Sequence, residues 1–174
     1  DAISISLYTN KLYDRKIITW MNSGNGQARD EEVIAFLNEH VDENVTPVMY
    51  GREMMKEYLL QVAERKPELA ADARRIAESV VNLADIFSEF IYLRPKLGAR
   101  PKLTDVASRL LKEPVEKQIP IFSNIMAVNE FEKLEQADTV VEKEKIAENL
   151  RNYSSMNLNY LRKLYRFMQL NMMD

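Results

Sequence analysis

The scarcity of glycine is the feature that most restricts the fold of this chain. Only four glycines occur among 174 residues, at positions 24, 26, 51 and 98, which is about a third of the ~7% found in average proteins. Sheet proteins need turns, many of them built on glycine, at intervals of roughly 8–12 residues. We therefore expect helices joined by few and short connections.

The size and composition indicate one compact domain. A chain of 174 residues can bury a core but is short for two domains. Its hydrophobic content of 46% and charged content of 29% are ordinary values for a globular protein. We predict a single helical domain over residues 1–174. Because the chain begins with Asp1 rather than methionine, we also expect it to be a piece of a longer protein.

The clearest helical pattern follows Pro67. Apolar residues recur there at steps of four and three, as on one face of a helix: Leu69, Ala73, Ile76, Val80, Leu83, Phe87 and Phe90. The pattern predicts one helix over 67–92, about 38 Å long at 1.5 Å per residue. The predicted fold is all-α, an irregular multi-helix bundle of six to eight helices built around this long central helix, with no convincing sheet.

The first half of the chain contains three further predicted helices. Residues 1–22 are ambiguous, because their first apolar residues alternate as in a strand, but later ones follow helical steps, and we prefer a helix over 7–21. Residues 30–41 form a short helix with acidic residues in its first turn. Thr46 and Pro47 are a suitable cap and first residue for a helix that ends near Arg65.

The second half contains shorter predicted helices. Thr104 is placed to cap one of them, and another follows Pro120. Thr139 and Glu142 have the spacing of a capping box at the start of a charged helix. Ser154 and Ser155 mark a weak break before a last helix that ends near the C-terminus.

The only strongly basic segment is 93–118, which carries seven basic and three acidic residues in a chain of net charge −3. It contains Arg-Pro-Lys-Leu twice, six residues apart, in the stretch IYLRPKLGARPKLTD. Each proline fixes its own φ and favours an extended arginine before it, so the doublet is expected to be a stiff connector. We identify seven candidate residues for binding phosphate or an acidic partner: Arg94, Lys96, Arg100, Lys102, Arg109, Lys112 and Lys117. The alternative is a hinge with solubilising charge.

No catalytic, cofactor or metal site is predicted. The chain has no cysteine and a single histidine, His40, which is expected to serve the carbonyl groups at the end of its helix. The Gly24–Gly26 loop precedes a helix, but its acidic first turn would repel an anion, so we interpret it as a surface loop. Three pairs of glutamates lie four residues apart, and basic residues among them indicate solvated helix faces: Glu53 and Glu57, Glu64 and Glu68, Glu144 and Glu148.

The C-terminal helix has two interpretations. Its basic residues lie among leucines, methionines and aromatic residues, a pattern typical of helices that bind partner grooves or membrane surfaces. However, its apolar surface is wide, which is typical of a core helix. We predict that Leu161, Leu164 and Met168 belong to the core.

These observations favour a non-enzymatic interaction or scaffold domain that contacts another protein or self-associates. The alternative is a nucleic-acid or phosphate-binding helical module, similar to a nucleocapsid domain, that uses segment 94–117. An enzyme acting through carboxylates is a third interpretation. No uncharged stretch exceeds 12 residues, so we predict no transmembrane segment, and the lack of cysteine predicts an intracellular, cytoplasmic protein. No family resemblance is evident from the residues.

Overall fold

The computed structural model describes residues 4–8, 17–22, 29–51, 54–89, 101–112, 120–121 and 123–171. Over these residues the fold is 73% helical with little strand, which confirms the predicted all-α multi-helix class. The described helices are α1 (Asp30–His40), α2 (Met54–Arg65), α3 (Ala70–Ser79), α4 (Leu83–Glu89), α5 (Leu103–Leu111), α6 (Asn124–Gln136) and α7 (Val140–Asn171). A 3₁₀ turn, Pro67–Leu69, leads into α3.

The predicted helix over 7–21 is wrong. Ser4–Tyr8 (β1) and Ile17–Met21 (β2) are antiparallel strands, paired from Ser4 opposite Met21 to Tyr8 opposite Ile17. The strand alternation in the first residues was the informative signal. β2 is also rich in β-branched and aromatic residues, which lose side-chain freedom in a helix and pack well on a pleated surface.

The β1–β2 hairpin lies between two groups of helices. Residues directly opposite each other in an antiparallel pair point to the same face. Ile5 and Trp20 are such a pair, and both pack into a core with α1, α2 and α3. Tyr8 is on the other face, where the Arg162 guanidinium of α7 lies 5.0 Å from its ring centroid. The hairpin therefore joins the N-terminal helices to α7.

The predicted central helix over 67–92 is interrupted. α3 ends at Ser79, and Val81–Asn82 (β4) pairs in parallel with Val48–Met49 (β3) before α4 begins. The interruption falls at Ser79-Val80-Val81-Asn82, four residues of modest helix propensity. The same pairing explains why α2 begins at Met54 rather than near Pro47.

Asn82 fixes this interruption. Its Nδ2 donates to the Gly51 carbonyl (2.9 Å), and its Oδ1 accepts from the Gly51 amide (3.2 Å) and the Ala84 amide (3.1 Å). The last bond caps the start of α4. Gly51 has a φ of +121°, a conformation that other residues adopt only with strain. One asparagine thus ends a helical run, begins the next helix and holds a distant turn.

The long helix of this fold is α7, whose 32 residues span about 48 Å. It begins as predicted, because the Thr139 hydroxyl accepts from the Glu142 amide at 3.2 Å. The predicted break at Ser154–Ser155 is absent, and the helix continues through both residues. The two halves of α7 pack in different cores, one shared with α6 and the other with α4 and α5.

Candidate interaction surfaces

Three of the seven candidate basic residues lie together on α5. Lys102 precedes the first residue of α5, Arg109 is in its last turn and Lys112 follows its end; all three side chains are exposed. Lys102 and Lys112 thus flank the two ends of α5, and Arg109 lies within the helix, which also carries exposed Asp105. The other four, Arg94, Lys96, Arg100 and Lys117, lie outside the described residues.

The three α5 cations make no ion pair with another described residue. Because they are solvated and exposed, they are available to an external anion. The side of α5 opposite to them is buried, with Val106 and Ala107 fully inaccessible to solvent. The structure therefore presents α5 as a helix with an apolar inner face and a basic outer face.

Lys112 has an unusual backbone conformation. Its φ of 56° and ψ of 26° are left-handed, a conformation that a helix end usually assigns to glycine. A side chain there costs roughly 1–2 kcal/mol relative to right-handed geometry. The chain has lysine at a position where glycine would be more stable.

The start of α5 is attached to the N-terminal half of the molecule through Tyr50. The Tyr50 hydroxyl donates to the Pro101 carbonyl at 2.9 Å, and its ring lies 6.3 Å from that of Phe87. Burial, together with the negative charge of Asp105, raises the pKa of Tyr50 to about 12. This hydrogen bond holds Pro101, the second proline of the Arg-Pro-Lys-Leu doublet, in place just before α5.

Among the described residues, the most exposed aliphatic side chains lie on the hairpin of α6 and α7. Val140 is 82% exposed, Val141 81% and Ile125 75%, whereas buried Leu134 and Leu150 hold the two helices together. All residues from 140 to 145 are exposed. The first turns of α7 thus extend into solvent with an apolar pair at their start.

Acidic residues surround these valines. Asp138, Glu142, Glu144 and Glu148 are exposed, with Lys143 and Lys145 among them. Glu144 accepts from Arg151 at 2.8 Å. On α6, Lys133 holds the pKa of Glu130 below its usual value. This end of the hairpin is therefore an acidic surface with an aliphatic centre.

The most buried charged group, Asp30, has a structural role. It is only 1% exposed, and its carboxylate accepts from the Tyr58 hydroxyl at 2.7 Å and from Arg65 at 2.9 and 3.1 Å. Burial, and then the bond to Asp30, raise the pKa of Tyr58. Beside it, Lys66 lowers the pKa of Glu31 and has its own pKa raised in return. With its oxygens engaged inside the protein, Asp30 locks α1 to α2.

The other sequence candidates do not form a reaction centre in the described residues. His40 is the last residue of α1, and its ring makes a T-shaped contact with that of Phe36, with ring centroids 5.0 Å apart. Its expected role at the carbonyl groups of the helix end stays a prediction. Glu57, Glu64, Glu68, Glu144 and Glu148 are exposed, as expected for solvated faces, and Glu53 lies outside the described residues. The described part of the chain also has no group of three or more metal-ligating side chains. The Gly24–Gly26 loop lies outside it.

Sequence reasoning missed two features of these surfaces. The Asp30 cluster joins residues 28 and 35 positions apart, so no local pattern reveals it. The exposed valines had a local signal, because adjacent apolar residues in the first turn of a charged helix cannot both face the same neighbour.

A comparison with known proteins found no matching family model, no matching curated protein and no matching solved structure. None of the described helices has both the length and the hydrophobicity needed to cross a membrane.

Proposed function

We propose that this chain is a non-enzymatic helical interaction domain whose contact surface is the α6–α7 hairpin. The observation that carries the proposal is the exposure of Val140 and Val141 at the start of α7. Buried side chains farther along both helices hold the α6–α7 hairpin together, and the valines lie on the first, solvent-exposed turn of α7. Placing a valine against a partner stabilises the contact by roughly 1.5–3 kcal/mol when burial is complete.

The surroundings of the valines support a protein partner. A typical protein interface has an apolar centre and a polar rim, and here the acidic residues and lysines of 138–148 surround the aliphatic pair. The lack of cysteine supports an intracellular, cytoplasmic setting for such an interaction. A fluorescent fusion of the chain would test that location, and accumulation in the secretory pathway would contradict it.

Position-specific photo-crosslinking tests the contact surface. A photoreactive amino acid at Val141 in the source cells should give a discrete crosslinked species. The matched control is the same amino acid at Gln61, which is exposed on α2. The proposal predicts that the adduct forms at Val141, is lost when Val140 is changed to Glu, and does not form at Gln61. Equal labelling at both positions, or none at Val141, would refute it.

A second candidate function is binding of nucleic acid or another polyphosphate through α5. The observation that favours it is the exposure of Lys102, Arg109 and Lys112 within and beside α5, with a lysine at a left-handed position. Phosphate contacts release counterions, so affinity for single-stranded RNA should fall steeply with salt. Lys112→Gly should then weaken binding while it stabilises the fold. An absence of RNA binding to the wild type at low salt would exclude this candidate.

A further inference from the structure

We propose that the partner of the hairpin is a second copy of this chain, and that the acidic start of α7 in one copy binds the basic face of α5 in the next. This inference rests on the proposed function, because it names the occupant of the same contact surface. Three observations carry it: the positions of the two surfaces along α7, their opposite charge, and the spacing of their charged groups.

The two surfaces lie at opposite ends of one helix. α5 packs on the C-terminal half of α7, where Val106 and Ala107 share a core with Met156, Tyr160 and Leu164. The acidic surface occupies the first turns of α7. Val140 and Leu164 are 24 residues apart, which corresponds to about 36 Å along a helix axis. Even Glu148 and Met156, the nearest residues of the two regions, are eight residues apart, about 12 Å along the axis. This separation is too long for direct ion pairs within one chain, so contact between the two surfaces requires two copies.

The charges of the two surfaces are complementary. Residues 138–148 carry two more acidic than basic side chains, and residues 102–112 carry two more basic than acidic side chains. Glu144 and Glu148 are one helical turn apart on α7, and Lys112 directly follows the last turn of α5, which contains Arg109, so each surface has two like charges close together. All four side chains are exposed. Two such helices can therefore align carboxylates with cations while the valines are covered.

Each surface also contains charges of the opposite sign, and these favour a protein surface over a polyphosphate as the ligand of α5. Asp105 lies between Lys102 and Arg109 on the exposed face of α5 and would repel a phosphate backbone. The acidic surface of α7 contains Lys143 and Lys145, either of which can face a carboxylate such as Asp105. Mixed charges of this kind define a register between two protein surfaces.

The contact joins two different patches, so each copy can bind one neighbour through α5 and another through α7. Such head-to-tail contacts produce a ring if the rotation closes and an open chain if it does not. Sedimentation velocity should accordingly show species larger than a dimer as concentration rises. Association should be stronger at about 0.01 M salt, where screening is weak, than at about 1 M salt.

Charge reversal provides the decisive test. Glu144→Lys with Glu148→Lys, and Arg109→Glu with Lys112→Glu, should each weaken self-association on the order of a hundredfold, because like charges then face each other. An equimolar mixture of the two double variants should associate again, since each reversed surface meets its reversed counterpart. Glu57→Lys with Glu64→Lys, which changes exposed charges on α2, should associate as the wild type does. Recovery in the mixture also shows that the separate variants are folded.

Other outcomes overturn the inference. A wild type that stays monomeric at low salt, variants that still associate separately, or a mixture that stays monomeric would each refute head-to-tail association. A monomeric wild type whose Val141 still crosslinks to a different protein would refute this inference and leave the proposed function standing. If RNA binds α5 at low salt and the chain remains monomeric, the ligand of α5 is a nucleic acid instead.

Discussion

The two halves of α7 differ although they belong to one continuous helix. Around Leu164, which is fully buried, the helix contacts α5 on one side and the β1–β2 hairpin on another. Around Val141, which is 81% exposed, every side chain from 140 to 145 faces solvent. Apolar residues on the same helix therefore differ in burial. At one end they stabilise the fold, and at the other they are available to a partner.

Hydrogen exchange should show the largest difference between the two halves. Amides that open only on global unfolding are protected by the full stability of the protein, about 5–15 kcal/mol for a typical domain, whereas fraying turns have almost no protection. We expect amides of 160–167 to exchange on the order of a thousandfold more slowly than those of 143–146, measured by mass spectrometry or NMR. Equal protection would mean that the start of α7 is as firmly packed as its core.

Substituting alanine for one side chain in each half of α7 should show the next largest difference, in the free energy of unfolding. Leu164→Ala removes a fully buried side chain and should cost about 2–5 kcal/mol of unfolding free energy. Val141→Ala removes a solvated one and should change it by less than about 0.5 kcal/mol. Both are measured by urea denaturation of the full chain. If Val141→Ala lowered the unfolding free energy by more than about 0.5 kcal/mol, Val141 would stabilise the fold rather than form part of a binding surface.

Alkaline pH should destabilise the core around the C-terminal half of α7, because Tyr50 packs against this core and loses its proton at high pH. Since the pKa of this tyrosine is raised to about 12, the unfolded chain releases its proton near pH 10 while the folded chain retains it. The folded state therefore binds more protons in this window, and stability falls as pH rises from 10 to 12. We expect Tyr50→Phe to show a smaller drop in melting temperature between these pH values. An identical drop in melting temperature in the wild type and in Tyr50→Phe would contradict the raised pKa of Tyr50.

The contact between α7 and Tyr8 should have the smallest effect. An exposed cation–π pair contributes about 0.5–1 kcal/mol. A double-mutant cycle that combines Arg162→Ala with Tyr8→Leu isolates this coupling from the packing of each side chain. The same cycle applied to Arg151→Ala and Glu144→Ala provides the reference for a solvent-exposed ion pair at the other end of α7. Zero coupling between Arg162 and Tyr8 would show that this pair does not help to hold the β1–β2 hairpin on α7.

Local patterns predicted several of the elements whose determinants are local. The cap expected at Thr104 is wrong, because α5 begins at Leu103 after Lys102 and no side chain caps it. The cap at Thr139 and the helix over 30–41 required only the first turn and the apolar spacing. The Thr139 hydroxyl accepts from the Glu142 amide, and the helix is present as Asp30–His40. Burial of Leu164 followed from the width of the apolar face of the last helix and is also confirmed. The local excess of basic residues singled out Lys102, Arg109 and Lys112, whose side chains are exposed, and their role in binding stays a prediction.

Tertiary contacts decided the elements that were predicted wrongly. The run from Pro67 has helical periodicity throughout, yet Asn82 bonds to Gly51, 31 residues away, and ends the run. Similarly, the segment of 7–21 has helical steps, but its strands are stabilised by cores on both faces. A single sequence cannot reveal such partners, because the deciding hydrogen bonds and contacts lie far along the chain.

The position of the β1–β2 hairpin has a consequence for the order in which the chain acquires its structure during synthesis. One face of the β1–β2 hairpin packs with α1, α2 and α3, all of which are synthesised within the first 79 residues. The other face is covered only after Arg162 and its neighbours on α7 have been synthesised. At about 5–20 residues per second, roughly 4–17 seconds pass between these events on the ribosome. We expect the Tyr8 face to be open to protease or chaperone in nascent chains stalled at residue 139 and closed in the released protein.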